Sequence, residues 1–553
     1  MSGSEGAART GEAPEAGASP VRLPVGPRAA RFLVLLGVFI CAACGLVYEL
    51  ALVALGSYLL GDSVTQASIV LSVMVFAMGV GSLASKRLTD RPAFWFIVIE
   101  GALSLVGGLS VLLLYGAYAY LSMYQPALVL CAFAVGALIG AEIPLLMKLI
   151  QRIRRQDAAD AVADLFAADY VGGLVGGLAF PFLLLPLLGL VEGALAVGAL
   201  NALVGMWVVL WIFRATLRPR ARIGAALGMA VVLAVLAAAF VYSGRFEVTA
   251  RQALYRDPIV HAERSAYQEV VLTRTTDGRD TRLFLNGDLQ FSSLDEYRYH
   301  ESLVHPAMAG PRGEVLMLGG GDGLAAREVL EYPDVEHVTL VDLDPAVTRL
   351  ARTDPVLSDL NEDALDDPRM EVVNTDAFKW LREQRSRFDA VVVDMPDADD
   401  VATAKLYSVE FYGLVRGALR DGGLMSVQAG SPYFAADAYW SVAESLEDSG
   451  WSAVPYNVDV PSFGNWGFYL ARPTEGGPGE GAPELTLPED APELRFLDDR
   501  VLEAAKVFPK DRERTTGDGG EAGPGEERDV RASTLLDPAV LRYQQEQEAW
   551  EGY

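Results

Sequence analysis

The sequence predicts a multi-pass bundle of membrane-length α-helices, then a small β domain, then an α/β domain built on a nucleotide-binding βαβ unit. Three observations carry this prediction. Long apolar segments are concentrated before residue 243 of a 553-residue chain that is 51% hydrophobic. Short runs that alternate apolar and polar residues follow between Tyr255 and Phe291, the period of a half-buried strand. Val315 to Asp344 then reads VLMLGGGDGLAAREVLEYPDVEHVTLVDLD, a strand, a glycine-rich turn, a helix and a second strand ending in acid.

Residues 1–30, rich in Gly, Ala, Pro and Glu, predict a disordered tail. From 31 to 243 about seven segments have the length and apolarity of membrane helices: Phe32–Leu55, Val64–Ser85, Ala93–Tyr115, Ala127–Ile150, Val171–Leu190, Ala194–Phe213 and Ile223–Tyr242. The first is too long to be the apolar core of a cleaved signal peptide. Little more than a turn separates the fifth from the sixth. Gly172, Gly173, Gly176 and Gly177 suit close helix packing in lipid. Cys41, Cys44 and Cys131 all fall in these segments; with no second pair and no nearby His they are expected to be small apolar residues, with no metal site.

Residues 250–293 are expected to form a small β lid. Residues 294–472 follow as the α/β domain, with strands near 314–318, 338–342, 370–374, 388–394, 423–428 and 466–471. Beyond Arg472 the composition shifts to Gly, Pro and Glu, so 473–553 reads as a linker with a C-terminal tail, helical over Leu494–Phe508 and Leu535–Trp550 and disordered around Thr515–Glu527.

In the glycine turn, Gly319, Gly320, Gly321 and Gly323 let backbone N–H groups approach a ligand. Asp342, at the end of the next strand, is placed to accept ribose hydroxyls. Asp322 inside the turn would repel a pyrophosphate and attract a cationic group. An adenosyl sulfonium carrying a free amine therefore suits the turn better than a dinucleotide.

Taken in order, LFLNGDLQFSSLDEYRYHESLVHPAM (Leu283–Met308), GGGDG, NTDAFKWL (Asn374–Leu381), VVVDMPD (Val391–Asp397), KLYSVEFY (Lys405–Tyr412) and VPSFGNWGFYL (Val460–Leu470) resemble the motifs of spermidine synthases, the polyamine aminopropyltransferases. The resemblance covers roughly Tyr255 to Arg472, and the N-terminal half looks like the multi-pass extension of some bacterial members. It implies a Rossmann-like fold of the class I methyltransferase type. It also implies transfer of an aminopropyl group from decarboxylated S-adenosylmethionine to putrescine, giving spermidine and methylthioadenosine, with no cofactor and no metal.

By the same resemblance Asp394 is the general base, and Gln268, Gly319, Gly321, Asp322, Gly323, Asp342, Asp376 and Ala377 bind the cosubstrate. Tyr299, His300, Asp322, Asp397, Gln428 and Tyr456 line the diamine channel. The chain departs from the family where Asp397-Ala398-Asp399-Asp400 replaces the usual Asp-Pro with its downstream Gly-Pro. The gate over the diamine is thereby altered and the acceptor is left open, so cadaverine or agmatine stand beside putrescine. A membrane-tethered methyltransferase and a non-catalytic polyamine sensor or transporter are the competing functions; Asp322 speaks against the first and Asp394 against the second.

The formal net charge is −27, from 72 acidic and 45 basic residues. That repels nucleic acid and agrees with polycationic ligands, although acidic surfaces also simply confer solubility. Glu49, Glu100, Glu142 and Asp169 lie within or beside apolar runs, where an ionised carboxylate is costly. They form either a polyamine site inside the bundle or pairs with one another or Lys148. The expected setting is the bacterial plasma membrane, with the lipid bilayer and a diamine as partners and a possible homodimer.

Lys86, Arg87 and Arg91, then Lys148, Arg152, Arg154 and Arg155, then Arg214, Arg218, Arg220 and Arg222 mark alternate loops as cytoplasmic. Seven full crossings would then put the catalytic region outside. A cosubstrate made in the cytosol favours the inside, which requires the fifth and sixth segments together to contribute one crossing.

Overall fold

Between Pro27 and Leu254 apolar side chains surround each segment, and the chain forms α1 (Pro27–Leu60), α2 (Ser63–Ser85), α3 (Pro92–Gly116), α4 (Tyr124–Ile153), α5 (Ala158–Ala179), α6 (Leu185–Met206) and α7 (Pro219–Leu254). The computed structural model describes residues 24–60, 63–121, 123–153, 158–474, 481–514 and 530–548. The expected tail before residue 24 and the insert around Thr515–Glu527 lie outside the described residues. Two compact units result, Met1–Leu254 and Tyr255–Tyr553.

Among the described residues six helical runs are long and apolar enough to cross a membrane. Large apolar side chains such as Val75, Phe76, Leu187 and Val241 stand exposed on them. The fifth run, Val162–Ile212, has 51 residues, about 75 Å of helix against a hydrocarbon core of about 30 Å. It is broken at Gly189, whose φ of +70° is open to glycine alone at little cost.

Close glycine contacts give the direction of the two arms. A Cβ on Gly172 would lie 2.2 Å from the Phe39 carbonyl oxygen and one on Gly176 2.4 Å from that of Ala43, so α5 runs parallel to α1. On α6, Gly198 meets Ser104 and Gly108 while Gly205 meets Glu100, so α6 runs antiparallel to α3. Gly37 touches Val208, whereas Tyr48 touches Gly107 and the neighbouring Gly108 touches Ala194, so α6 is antiparallel to α1 as well. The arms thus run in opposite directions about Gly189, and each keeps more than about 20 residues, enough to cross.

The second unit opens with a lid sheet of β1 (Ile259–Arg264), β2 (Glu269–Arg274), β3 (Thr281–Leu285) and β4 (Asp288–Ser292), antiparallel in that order. Asn286 and Gly287, both at positive φ, make the tight β3–β4 turn. The main sheet comprises β5 (Glu314–Gly319), β6 (His337–Asp342), β7 (Met370–Asn374), β8 (Phe388–Asp394), β9 (Leu419–Gln428), β10 (Trp451–Val460) and β11 (Gly464–Pro473). Its order is β10-β11-β9-β8-β5-β6-β7. Strands β5 to β9 pair in parallel, and β10 and β11 add an antiparallel edge.

Strand β10 is not among the expected strands, because Pro455 interrupts its pattern; Pro is tolerated there since β10 is the edge. The helices are α8 (Glu296–Val304), α9 (Leu324–Leu330), α10 (Pro345–Thr353), α11 (Pro355–Leu360), α12 (Ala377–Glu383), α13 (Val401–Ala404), α14 (Val409–Ala418), α15 (Ala436–Asp448), α16 (Asp499–Ala505) and α17 (Ala539–Glu548).

Both faces of the sheet are covered. Leu316, Leu318, Val391 and Val393 point into one apolar cluster and Val315, Met317, Ala390 and Val392 into the other, the alternation a pleated strand imposes. Neighbouring β5 and β8 diverge in chain order, so their carboxyl ends flank the crevice where ligands bind in such Rossmann-like sheets. The C-terminal stretch packs on this core: Leu485, Leu497 and Leu502 join one cluster, Val540 and Leu541 the other. Helix α16 is shorter than the expected Leu494–Phe508, and α17 starts at Ala539, later than the expected Leu535, while Trp550 lies outside the described residues.

Candidate active site

The glycine turn after β5 passes so close to β8 that side chains are excluded. A Cβ on Gly319 would sit 1.9 Å from the Asp394 carbonyl oxygen, and φ there is +83°. A Cβ on Gly321 would sit 2.6 Å from Oδ2 of Asp342. The amide of Gly321 instead donates to that Oδ2 at 3.1 Å, while the amide of Asp344 donates to Oδ1 at 2.8 Å. Asp322 accepts the amide of Leu324 at 2.9 Å, and Asn361 Nδ2 donates to the Asp322 carbonyl at 2.8 Å. Gly323, at φ +83°, turns the chain into α9.

Asp394 ends β8 against this turn, its Oδ2 placed 3.2 Å from where a Cβ on Gly320 would lie. From α8 the Tyr299 hydroxyl donates to Asp394 Oδ1 at 2.6 Å. Burial raises the Asp394 pKa to about 6; the His300 charge lowers it, the Asp322 charge raises it, and the Tyr299 hydrogen bond lowers it. Burial likewise raises Asp342 to about 6, opposed by the Asp344 and Gly321 amides and reinforced by Asp322. Asp322 too is raised, chiefly by burial. Three carboxyls with upward-shifted affinities for protons around one turn make a crevice suited to cations.

The remaining expected residues flank this centre. Asp376 follows β7 and caps α12, accepting the Lys379 amide at 3.0 Å and the Lys405 ammonium at 2.6 Å. Partial burial pushes its pKa up, but these donors outweigh it and hold the carboxyl below its ordinary range. Ala377 beside it is buried. In the lid, Ser265 Oγ donates to Asp344 Oδ2 at 2.6 Å and accepts the Gln268 amide at 3.0 Å, which ties the loop bearing Gln268 next to the end of β6.

On the other flank Gln428 Nε2 donates to Asp397 Oδ1 at 3.3 Å and to the Met395 carbonyl. Its Oε1 accepts the Gly430 amide at 2.9 Å and Trp466 Nε1 at 3.2 Å. Tyr456 differs from the others. It is fully buried, stacked on Phe468, and its hydroxyl donates to the Ser302 carbonyl at 2.9 Å, so it braces α8 from behind the crevice.

The sequence reading missed the support beneath these residues. His300 Nδ1 lies 2.8 Å from Glu296 Oε2, and Arg327 NH2 lies 3.0 Å from the same oxygen and 2.6 Å from Glu328 Oε1; Glu328 in turn meets His305 at 2.9 Å. Burial pushes Glu296 up, but the His300 hydrogen bond and the His300 and Arg327 charges bring its pKa down to about 2. Burial pushes His300 down and Glu296 outweighs it, so the imidazole pKa is raised. Tyr407, whose hydroxyl donates to the Pro396 carbonyl at 2.8 Å and lies 2.5 Å from Gln428 Nε2, was also missed. Glu296 and Tyr407 sit inside the family motifs quoted above, which was the available signal; Arg327 lies in the quoted βαβ run, four residues past the glycine turn, where nothing in the local spacing marks it.

Residues 296–475 match the spermine/spermidine synthase domain. Polyamine aminopropyltransferase 1 of Streptomyces coelicolor is 58% identical over 529 residues, 95% of this chain and 96% of the relative. Polyamine aminopropyltransferase 2 of the same organism is 54% identical over 84% of this chain and 86% of its own length. The polyamine aminopropyltransferase of Mycobacterium tuberculosis is 46% identical over 88% of this chain and 93% of its own. With a crevice of carboxylates at the glycine turn and near-full-length identity of this order, the chain belongs to the polyamine aminopropyltransferase family and is an aminopropyl-transferring enzyme.

Proposed function

We propose that the enzyme transfers the aminopropyl group of decarboxylated S-adenosylmethionine to putrescine at the carboxyl edge of the main sheet. The observation that carries this is the convergence of Asp322, Asp342 and Asp394 on one glycine turn, a polyanionic cradle for a cosubstrate and an acceptor that are both cationic. Asp342 would accept the ribose hydroxyls, Asp376 the adenine amino group, and Gln268 would approach from the lid. Asp322 would hold the amine of the aminopropyl chain and repel the carboxylate of ordinary S-adenosylmethionine.

The diamine would lie between Tyr299, His300, Asp397 and Gln428. One end arrives as ammonium, with a pKa near ~10 as for lysine, and gives a proton to Asp394. The freed nitrogen lone pair attacks the propyl carbon next to sulfur. The C–S bond breaks, its electron pair returns to sulfur, and neutral methylthioadenosine leaves while the new secondary amine keeps the positive charge. The leaving group is already activated, so alignment and deprotonation are what these residues supply.

Two catalytic-site features favour putrescine-like acceptors without fixing their length: the carboxylate pair Asp394 and Asp397, and the Gln428 amide between Asp397 and Tyr407. Methylthioadenosine release by the purified full-length chain, measured with decarboxylated S-adenosylmethionine and a panel of putrescine, cadaverine and agmatine, tests this. Highest kcat/KM with putrescine is expected; a preference for another amine, or methyl transfer from S-adenosylmethionine, overturns it. The apolar helices would anchor the enzyme in the plasma membrane. The opposed directions of α5 and α6 support seven crossings, which with the basic loops would set the catalytic unit on the outer face, against the cytosolic side that the origin of the cosubstrate favours. A C-terminal reporter that fluoresces only in the cytosol, paired with an alkaline phosphatase fusion, tests the side.

A further inference from the structure

Four helices of the bundle bring polar side chains to one buried point that the catalytic chemistry does not use. Cys41 on α1, Glu100 on α3 and Glu142 on α4 have ligand atoms all within 4.8 Å of one another. From α6, Asn201 Nδ2 donates to Glu100 Oε2 at 2.7 Å and to Ser104 Oγ at 3.3 Å. Glu100 and Asn201 are wholly buried and Glu142 is 6% exposed. Gly205 makes the approach possible, since a Cβ there would stand 2.8 Å from the Cβ of Glu100. Lys148, the basic residue nearest to Glu142 in sequence, is exposed.

The cluster has acceptors in excess of donors. The Asn201 amide nitrogen serves Glu100 Oε2, and the Cys41 thiol and the neighbouring carboxyls meet Glu100 and Glu142, yet Glu100 Oε1 and Asn201 Oδ1, both buried, have no hydrogen-bond partner. Pro144 within α4 adds to the excess, because it has no N–H to give to the carbonyl of Gly140. Carboxylates and amide oxygens left in this state in an apolar interior are costly unless a positive donor meets them.

We propose that this cluster binds a protonated primary amine of the alkyl diamine and polyamine class. An ammonium brings one positive charge and three N–H donors, which matches Glu100 Oε1, the Glu142 carboxylate and Asn201 Oδ1. Oxygens of Glu100 and Glu142 lie within 4.8 Å of each other, so one nitrogen reaches both at a hydrogen-bonding distance of about 2.9 Å, and Asn201 is tied to the pair through its bond to Glu100 Oε2. A transition metal would require Cys41 to be a thiolate beside two carboxylates in this apolar interior. The hydrocarbon part of the amine suits the walls, for Cys41 belongs to the apolar cluster that contains Phe96, Leu145 and Val204. This site is separate from the catalytic crevice and does not depend on the roles proposed there.

Equilibrium dialysis of radiolabelled putrescine against the full-length protein in lipid nanodiscs tests the proposal. It is done on an Asp322→Asn, Asp394→Asn background to weaken the catalytic site. One equivalent per chain is expected to remain bound. Adding Glu100→Gln with Glu142→Gln is expected to weaken that binding more than tenfold. In the otherwise native chain the same pair is expected to leave methylthioadenosine release within about twofold. Asn201→Leu, which keeps both acids, is expected to weaken binding severalfold with helix content unchanged by circular dichroism, and guards against misfolding of the double variant. Binding that is insensitive to all three changes overturns the proposal, as does absence of any bundle equivalent, the result expected if the two acids merely hold protons. So does a stoichiometric divalent metal found by elemental analysis and lost in the variants. Failure of the catalytic assignment would appear as unchanged turnover in the background variant, an independent readout.

Discussion

The hydroxyl of Tyr299 donates to Oδ1 of Asp394 at 2.6 Å, so the proposed base is held by a neutral donor that favours its ionised form. Burial raises the Asp394 pKa to about 6, and only the carboxylate can accept a proton from the diamine. The acid limb of kcat/KM for the free enzyme is therefore expected near pH 6, with activity lost below it as Asp394 is protonated. Tyr299→Phe removes a stabiliser of the charged form, and the limb is expected to move upward by about one pH unit. A pH–rate profile of both proteins measures this; an unmoved or downward-shifted limb would contradict it.

Asp394→Asn keeps the shape of the side chain and removes the base. Turnover is expected to fall by a factor on the order of 100 or more with cosubstrate affinity nearly unchanged. Single-turnover kinetics with a separate binding titration check both halves, and near-normal turnover would remove Asp394 from the mechanism.

Asp322→Asn is expected to weaken binding of decarboxylated S-adenosylmethionine and to narrow its advantage over S-adenosylmethionine, because one attraction and one repulsion disappear together. Calorimetric titration with both nucleosides reads the ratio. An unchanged ratio would leave Asp322 with only its hydrogen bond to the Leu324 amide, a turn-shaping role.

Glu301, the residue after His300 in α8, is buried and accepts the amides of Arg495, Phe496 and Leu497 at 2.9, 2.9 and 2.8 Å. Glu301→Ala leaves those donors without their acceptor and is expected to cost about 2–4 kcal/mol. That is a fall of roughly 5–10 °C in the melting temperature for a unit of this size. Glu301→Gln, which retains one acceptor oxygen, is expected to recover part of the loss in the same thermal melt.

The sequence made legible whatever depends on local spacing. The strand, the glycines and Asp342 stand at fixed offsets because a tight turn and a ribose contact require them, and Asp394 shows itself by ending an unbroken apolar strand. Partnerships made across the fold left no such trace. Glu296 and Arg327 are 31 positions apart and meet only because α8 packs beside α9. The segment after Arg472 reads as linker and tail because its Gly, Pro and Glu content masks isolated apolar residues such as Leu485, and the helix read over Leu494–Phe508 gave no sign of what it packs on, yet Leu485, Leu497 and Leu502 are all buried in the core. Pro455 hid β10, since the sequence does not reveal which strand lies at an edge. Gly189 gave no more than a short gap, and the opposed directions of α5 and α6 emerged only from their contacts with α1 and α3.

The chain of polar contacts from His300 through Glu296, Arg327 and Glu328 to His305 has a consequence for how such enzymes can diverge. Glu296, Arg327 and Glu328 each meet two of the others in a buried place, so replacing one of these strands a charge that little solvent reaches. These five positions are expected to drift as a set or not at all. A homologue lacking the imidazole at the position of His300 is expected to show a compensating change at Glu296 or Arg327, while the exposed loops around them vary freely.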